Sequence, residues 1–235
     1  MRQIRSKVSK ARGTDDALSK GRRAEPDRTL PYHMSVKSRS PLNIYEWTYA
    51  QEDDPSFTDF IPKLKDHLFL RLFPSELDRE NRSPGNVLIK DDIIHKHIRL
   101  RVNYTSYDNQ RESDTINPKS HPYILIPKVD CPKKGEPYDY ARMLSAFRVE
   151  VSYLDFYNPM RWECLDFLWI QRFQYFPASG SPFSTKRYPK IKQLAEFGFI
   201  DPAQVIRGAH LIPAFIDGQS EGTEGREWRG FYVNM

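Results

Sequence analysis

Residues 147–152 read Phe-Arg-Val-Glu-Val-Ser, and this strict alternation of apolar and polar side chains decides the fold class. Successive side chains of a β-strand point to opposite faces, so Phe147, Val149 and Val151 share one face and the polar residues share the other. The alternation therefore predicts a strand from Tyr138 to Leu154 with one face buried.

The same two-residue period continues on both sides of this stretch. In 163–175 it places Leu165, Phe167, Trp169 and Phe173 on one face. Further strands are predicted within 94–104, 122–128, 197–207 and 210–215. The polar run 105–114 between two of them is expected to form a loop. Many short strands predict a mainly β fold of the α+β class, as a small curled sheet or a partly open barrel.

One segment has the period of a helix instead. Its apolar residues recur about every 3.6 positions, at Phe57, Phe60, Ile61, Leu64, Leu68 and Leu72. Pro62 falls in the first turn, where its missing N–H is tolerated, and Pro74 ends the pattern. The sequence thus predicts one amphipathic helix at the start of the body.

Charge divides the chain into three parts. Residues 1–28 hold nine lysine or arginine residues and four acidic ones, which gives the entire net charge of +5. Residues 29–235 hold equal numbers of bases and acids. We interpret 1–28 as a basic disordered leader, 29–56 as an extended connector and 57–235 as a mostly β globular domain.

The expected location is intracellular, in the cytoplasm or the nucleus. The two cysteines, Cys131 and Cys164, stand 33 residues apart, and the basic chain start lacks the apolar segment of a secretion signal. No apolar run approaches the roughly 18 residues that a membrane span needs. We therefore expect no membrane partner, and DNA or chromatin as candidate partners.

The polar face of the strand predicted within 94–104 is the first candidate site. It carries His97, Arg99 and Arg101, preceded by His95. Arginine can fork onto phosphate oxygens, so His97, Arg99 and Arg101 are candidate nucleic-acid-binding residues. The alternative is an ordinary solvated strand face. His95 and His97 alone do not complete a metal site, and we expect neither a metal nor a cofactor.

Aromatic residues form the second candidate site. Tyr138, Tyr140 and Trp169 fall within two neighbouring predicted strands, and rings around a pocket can hold a methylated ammonium group. The alternative is that these rings belong to the core. The sequence contains no glycine-rich phosphate loop, nucleophile elbow or His-Glu-x-x-His segment, so we expect a protein without catalytic activity.

Seven segments of the body follow one another in the order of a known family. They are 59–68 (DFIPKLKDHL), 100–108 (LRVNYTSYD), 114–118 (DTINP), 140–147 (YARMLSAF), 167–170 (FLWI), 197–202 (FGFIDP) and 205–215 (VIRGAHLIPAF). Together they resemble the C-terminal region of proteins that fungal DNA transposons of the Plavaka type encode. The resemblance implies a region after the RNase H-like catalytic part, so no catalytic residue is carried over.

Three functions from different classes follow. The first is a non-catalytic remnant of a fungal transposon-derived protein that binds nucleic acid or a partner chain through Arg99, Arg101 and the basic leader. The second is a chromatin reader with an aromatic cage for methylated lysine, since 140–147 and 167–170 also resemble a bromo-adjacent homology module. An intact metal-dependent nuclease is the third, and it would require carboxylates that converge in a cleft.

Overall fold

The structure is a computed structural model of the chain. It describes residues 31–35, 39–108, 111–128, 138–155, 159–176, 189–222 and 225–234. The basic leader predicted over 1–28 lies outside the described residues.

Strands dominate the described part of the chain, as the sequence predicts. The strands are β1 (Tyr32–His33), β2 (Arg39–Asn43), β3 (Val87–His97), β4 (Leu100–Thr105), β5 (Arg111–Ile116), β6 (Tyr123–Pro127), β7 (Tyr138–Tyr153), β8 (Glu163–Tyr175), β9 (Lys190–Ile200), β10 (Arg207–Gly208), β11 (His210–Pro213), β12 (Gln219–Gly222), β13 (Gly225–Trp228) and β14 (Phe231–Asn234). The helices are α1 (Ile44–Tyr49), α2 (Phe60–Leu72) and α3 (Glu76–Arg79). The predicted mainly β fold with one sizeable helix is confirmed.

The strands form three antiparallel sheets. The large sheet runs in the order β10-β6-β7-β8-β9-β14-β11, and β3, with β2 beside it, also joins β7. The small sheet has the order β1-β4-β5, and β12 pairs with β13. Within the described residues the sheets do not close into a barrel, which agrees with the predicted curled sheet or partly open barrel.

The 16-residue strand β7 organises the large sheet. On one edge, β6 pairs with its first part up to Arg142, and β3 pairs with its second part from Ala146 onward. A bulge between Met143 and Ser145 shifts the pairing with β8 by one residue. Because a bulge reverses the alternation, Met143 and Phe147 pack on opposite faces of the sheet.

Each face of the large sheet is covered by a different element. Helices α1 and α2 lie on the face that carries Phe147 and Phe167, into which α2 inserts Leu64 and Leu68. The small sheet packs on the other face, and its core contribution includes the fully buried Leu100. A third cluster joins β14 to β7, β8 and β9. Both faces of the central strands are therefore buried, which explains the continuous apolar run 167–170.

Three expectations about local structure need correction. The strand predicted over 94–104 is two strands, β3 and β4, which separate at Ile98–Arg99 and join different sheets. The loop predicted over 105–114 contains most of β5, whose polar residues leave only Ile116 buried. The connector predicted over 29–56 is part of the folded body, since it contains β1, β2 and α1.

The described residues include no helix whose length and apolar character would let it cross a membrane.

Candidate functional site

The structure does not place His97, Arg99 and Arg101 on one exposed face. His97 is the last residue of β3 and is 1% exposed, whereas Ile98, in the break that follows, is 65% exposed. Arg99 is exposed, whereas Arg101 is half-buried and its Nε donates a hydrogen bond to Ser113 Oγ at 3.0 Å. Of the three residues predicted to contact phosphate, Arg99 is exposed, Arg101 is half-buried and His97 is buried.

The predicted aromatic cage is not assembled either. Tyr140 packs in the cluster around β14, and Trp169 packs in the cluster beneath the helices. Tyr138 is partly exposed, and its carbonyl oxygen accepts a hydrogen bond from the hydroxyl of Tyr175. Tyr140 and Trp169 thus belong to two different core clusters, whereas Tyr138 is at the surface.

A cavity of about 730 Å³ lies between the small sheet and strands of the large sheet. We call it the intersheet cavity. Its cationic and imidazole side chains come from three separate parts of the chain: Arg99, His121, and Arg207 with His210. Tyr123, Tyr140 and other apolar residues complete the wall. The cavity therefore combines positive charge with aromatic surface.

The carboxylate in this lining is Asp114 of strand β5, which accepts hydrogen bonds from its surroundings. Asp114 Oδ2 accepts the backbone N–H of Gly208 at 2.8 Å, and Oδ1 lies 3.2 Å from the hydroxyl of Tyr104. Burial, with hydrogen bonds to Glu112 and Asp114, raises the pKa of Tyr104 to about 12. The guanidinium of Arg207 lies 5.2 Å from the centre of the Tyr104 ring. Each carboxylate oxygen of Asp114 thus accepts one hydrogen bond from the surrounding wall.

A second cavity, of about 720 Å³, lies where β3 and β6 part on the edge of β7. We call it the split cleft. Its aromatic side chains are Trp47, Phe57, Trp169 and Phe197, and its cationic side chains are Lys96, Lys119 and Arg142. The pairing of β7 with β6 ends at Arg142, and its pairing with β3 begins at Ala146. The cleft opens between these two points.

A short turn separates the two cavities. Asn117 and His121 exchange backbone hydrogen bonds of 3.1 and 3.0 Å, and Asn117 Oδ1 accepts the backbone N–H of Lys119. Asn117 lines both cavities, whereas Lys119 lines the split cleft and His121 lines the intersheet cavity. The two cavities and this turn thus form one continuous surface.

Positive charge is concentrated on this surface. Within the described residues, five lysine or arginine side chains line the two cavities, together with two carboxylates, Asp54 and Asp114. The body from residue 29 onward is neutral as a whole. A local excess of cations on a neutral body favours an anionic ligand at this place.

Sequence reasoning missed most residues of this surface. Lys96, Lys119 and Arg207 lie in three separate segments that the sheet topology brings together. One local signal was present: Arg207 is a charged residue inside the otherwise apolar segment 205–215. A charge in such a segment commonly marks an exposed edge or a site.

The described residues contain no group of three or more histidine, cysteine, aspartate or glutamate side chains that could hold a metal ion. No protein-family model, curated protein or solved structure matches the chain. The resemblance to Plavaka-type proteins therefore stays a prediction.

Proposed function

We propose that this chain is a non-catalytic nucleic-acid-binding protein, and that it derives from a fungal transposon protein as its sequence motifs predict. Phosphates contact Arg99 and Arg207 at the intersheet cavity and Lys96 and Lys119 at the split cleft. The observation that carries the proposal is the excess of cations on the surface formed by the two cavities, in a body that is neutral as a whole.

The chemistry of these side chains suits phosphate. A guanidinium donates two parallel hydrogen bonds to phosphate oxygens, and an ammonium group acts as a point charge beside them. Each phosphate that is neutralised releases condensed counterions, which strengthens binding at low salt. The leader, with its net charge of +5, would add attraction that does not depend on sequence.

The chromatin-reader alternative receives no support from the arrangement of its three rings. Tyr138, Tyr140 and Trp169 do not surround one pocket. The aromatic surface that Trp169 does share, in the split cleft, is accompanied by Lys96, Lys119 and Arg142. Those cations would repel a methylated ammonium group.

The test is a binding titration with a labelled single-stranded oligonucleotide, followed by fluorescence anisotropy at low salt. The double variant Arg99→Ala/Arg207→Ala removes two exposed cations from the intersheet cavity. If each contact contributes about 0.5–1 kcal/mol, the variant binds roughly 5- to 30-fold more weakly.

The matched control is Arg161→Ala/Arg229→Ala, which removes the same charge from exposed positions outside both cavities. We expect the control to retain most of the affinity of the unaltered chain. Equal weakening by the two double variants would show that net charge alone governs binding and would contradict the proposed surface. No binding by the unaltered chain would contradict the function itself.

A further inference from the structure

The split cleft has an aromatic wall that retains exposed surface. The rings of Trp47 and Phe57 lie 4.9 Å apart, and those of Phe57 and Trp169 lie 4.8 Å apart, both pairs edge to face. Trp47 and Phe57 are half-buried, so part of each ring faces the cleft. Because the rings pack against one another and leave no parallel slot, a planar ligand would stack on the wall and not between two rings.

Two lysines in the same cleft stand close enough to repel each other. Lys96 and Lys119 both have exposed surface, and among the described residues neither forms a salt bridge. Burial, and then the charge of Lys119, lowers the pKa of Lys96. The ammonium of Lys96 lies 6.0 Å from the centre of the Trp47 ring. An anion beside the two lysines would offset their repulsion directly next to the aromatic wall.

The floor of the cleft is polar. Ser145 and Gln171 are 1% and 9% exposed, and Gln171 Nε2 donates to the carbonyl of Leu194 at 3.0 Å. Buried polar groups beside an aromatic wall are typical of sites that orient a heterocycle through a few hydrogen bonds. The volume of about 720 Å³ is within the range of pockets that hold small organic ligands.

We propose that the split cleft binds a nucleoside phosphate, with its base against the exposed parts of Trp47 and Phe57 and its phosphate at Lys96 and Lys119. If the bound nucleotide is part of a nucleic acid, this inference rests on the proposed function and specifies that the nucleic acid is single-stranded. A free nucleotide presents the same chemistry, and the experiment separates the two sources.

The experiment follows the intrinsic tryptophan fluorescence of the full chain during titration with adenosine monophosphate and, separately, with a single-stranded oligonucleotide. A stacked base quenches a neighbouring indole, so we expect quenching that saturates. The variant Trp47→Phe should lose most of the change. Adenosine, which lacks the phosphate, should bind at least fivefold more weakly than the monophosphate.

The variant Lys96→Gln/Lys119→Gln tests the anion position without disturbing the core. It should weaken binding of the monophosphate at least fivefold, whereas Lys63→Gln/Lys65→Gln on α2, outside the cleft, should not. These lysine variants keep the test valid even if Trp47→Phe does not fold.

The outcomes separate the two proposals. Strand binding by anisotropy, with unchanged fluorescence and no effect of Lys96→Gln/Lys119→Gln, would overturn the cleft proposal and leave the proposed function intact. Saturable quenching by the monophosphate without strand binding would support the cleft as a free-nucleotide site and contradict the proposed function. No quenching by either ligand would overturn the cleft proposal.

Discussion

Replacement of Asp166 by alanine tests how the small sheet is fixed to the large sheet. Asp166 lies on β8 and is 7% exposed. Its carboxylate accepts two hydrogen bonds from the Arg148 guanidinium, Nε to Oδ1 at 2.7 Å and Nη2 to Oδ2 at 2.9 Å. It also accepts the hydroxyl proton of Tyr32, and burial together with the Asp166 charge raises the pKa of Tyr32 to about 12. One carboxylate therefore joins β8 to β7 and to β1.

The loss of folding stability in Asp166→Ala results from the Arg148 cation that remains. The Arg148 side chain is only 18% exposed, so the variant leaves a guanidinium without its carboxylate in a place that water reaches poorly. Breaking a buried pair in this way costs about 3–5 kcal/mol. For a chain of this size, about 2–4 °C of Tm per kcal/mol gives a decrease of roughly 6–20 °C.

The matched control is Glu150→Ala on the adjacent strand β7. Glu150 pairs with Lys90 at 2.5 Å, but the two side chains are 43% and 44% exposed, so water screens the pair and we expect only a small decrease of Tm. Thermal unfolding followed by circular dichroism compares the two variants. Equal decreases of Tm in Asp166→Ala and Glu150→Ala would refute the reasoning. The double variant Arg148→Met/Asp166→Leu should recover much of the lost stability, because it removes the stranded charge.

Two further predictions concern helix α2. Leu64→Ala should reduce the free energy of unfolding by about 2–5 kcal/mol, because Leu64 is fully buried. Leu70→Ala, at a position that is 48% exposed, should change it by less than about 1 kcal/mol. Urea denaturation measures both variants, and similar losses would contradict the assigned packing. Burial, and then the charge of Arg71, lowers the pKa of His67 to about 4, so His67 stays neutral in the folded chain between pH 6.5 and 4 while the unfolded chain takes up a proton. The free energy of unfolding should therefore fall as the pH decreases through this window, and urea titrations at pH 7 and pH 5 should show a smaller decrease in His67→Gln than in the unaltered chain. Identical decreases would contradict the assignment.

The sequence predicts those elements in which buried apolar residues recur at the regular spacing of a strand or a helix. Strand β8 was expected over 163–175 and forms over Glu163–Tyr175, because its apolar residues leave no other way to bury both faces. Helix α2 begins at Phe60, directly after its N-cap residue Asp59, and Pro55–Phe57 before it forms a separate 3-10 turn. The pattern marks which residues are buried, whereas the local chain path sets where an element begins.

Features that depend on pairing with distant segments of the same chain could not be predicted. Strand β5 is mostly polar and is a strand only because β4 pairs with it along six residues. The break at Ile98–Arg99 contains neither glycine nor proline, so nothing in the local sequence marks it. That break decides the site, since it leads from β3, which ends at the buried His97, to β4, and it leaves Arg99 exposed. Arg207 reaches the same cavity through the pairing of β10 with β6, which no local pattern specifies.

The salt dependence of binding tests the central claim, that phosphates contact the cations of the two cavities. The full chain and Arg99→Ala/Arg207→Ala are titrated with the same single-stranded oligonucleotide at several salt concentrations, and log K is plotted against log salt. Each lost phosphate contact should lower the magnitude of the slope by about 0.7, so we predict a difference of about 1.4 between the two lines. Parallel lines would show that Arg99 and Arg207 do not contact phosphate and would contradict the proposed function.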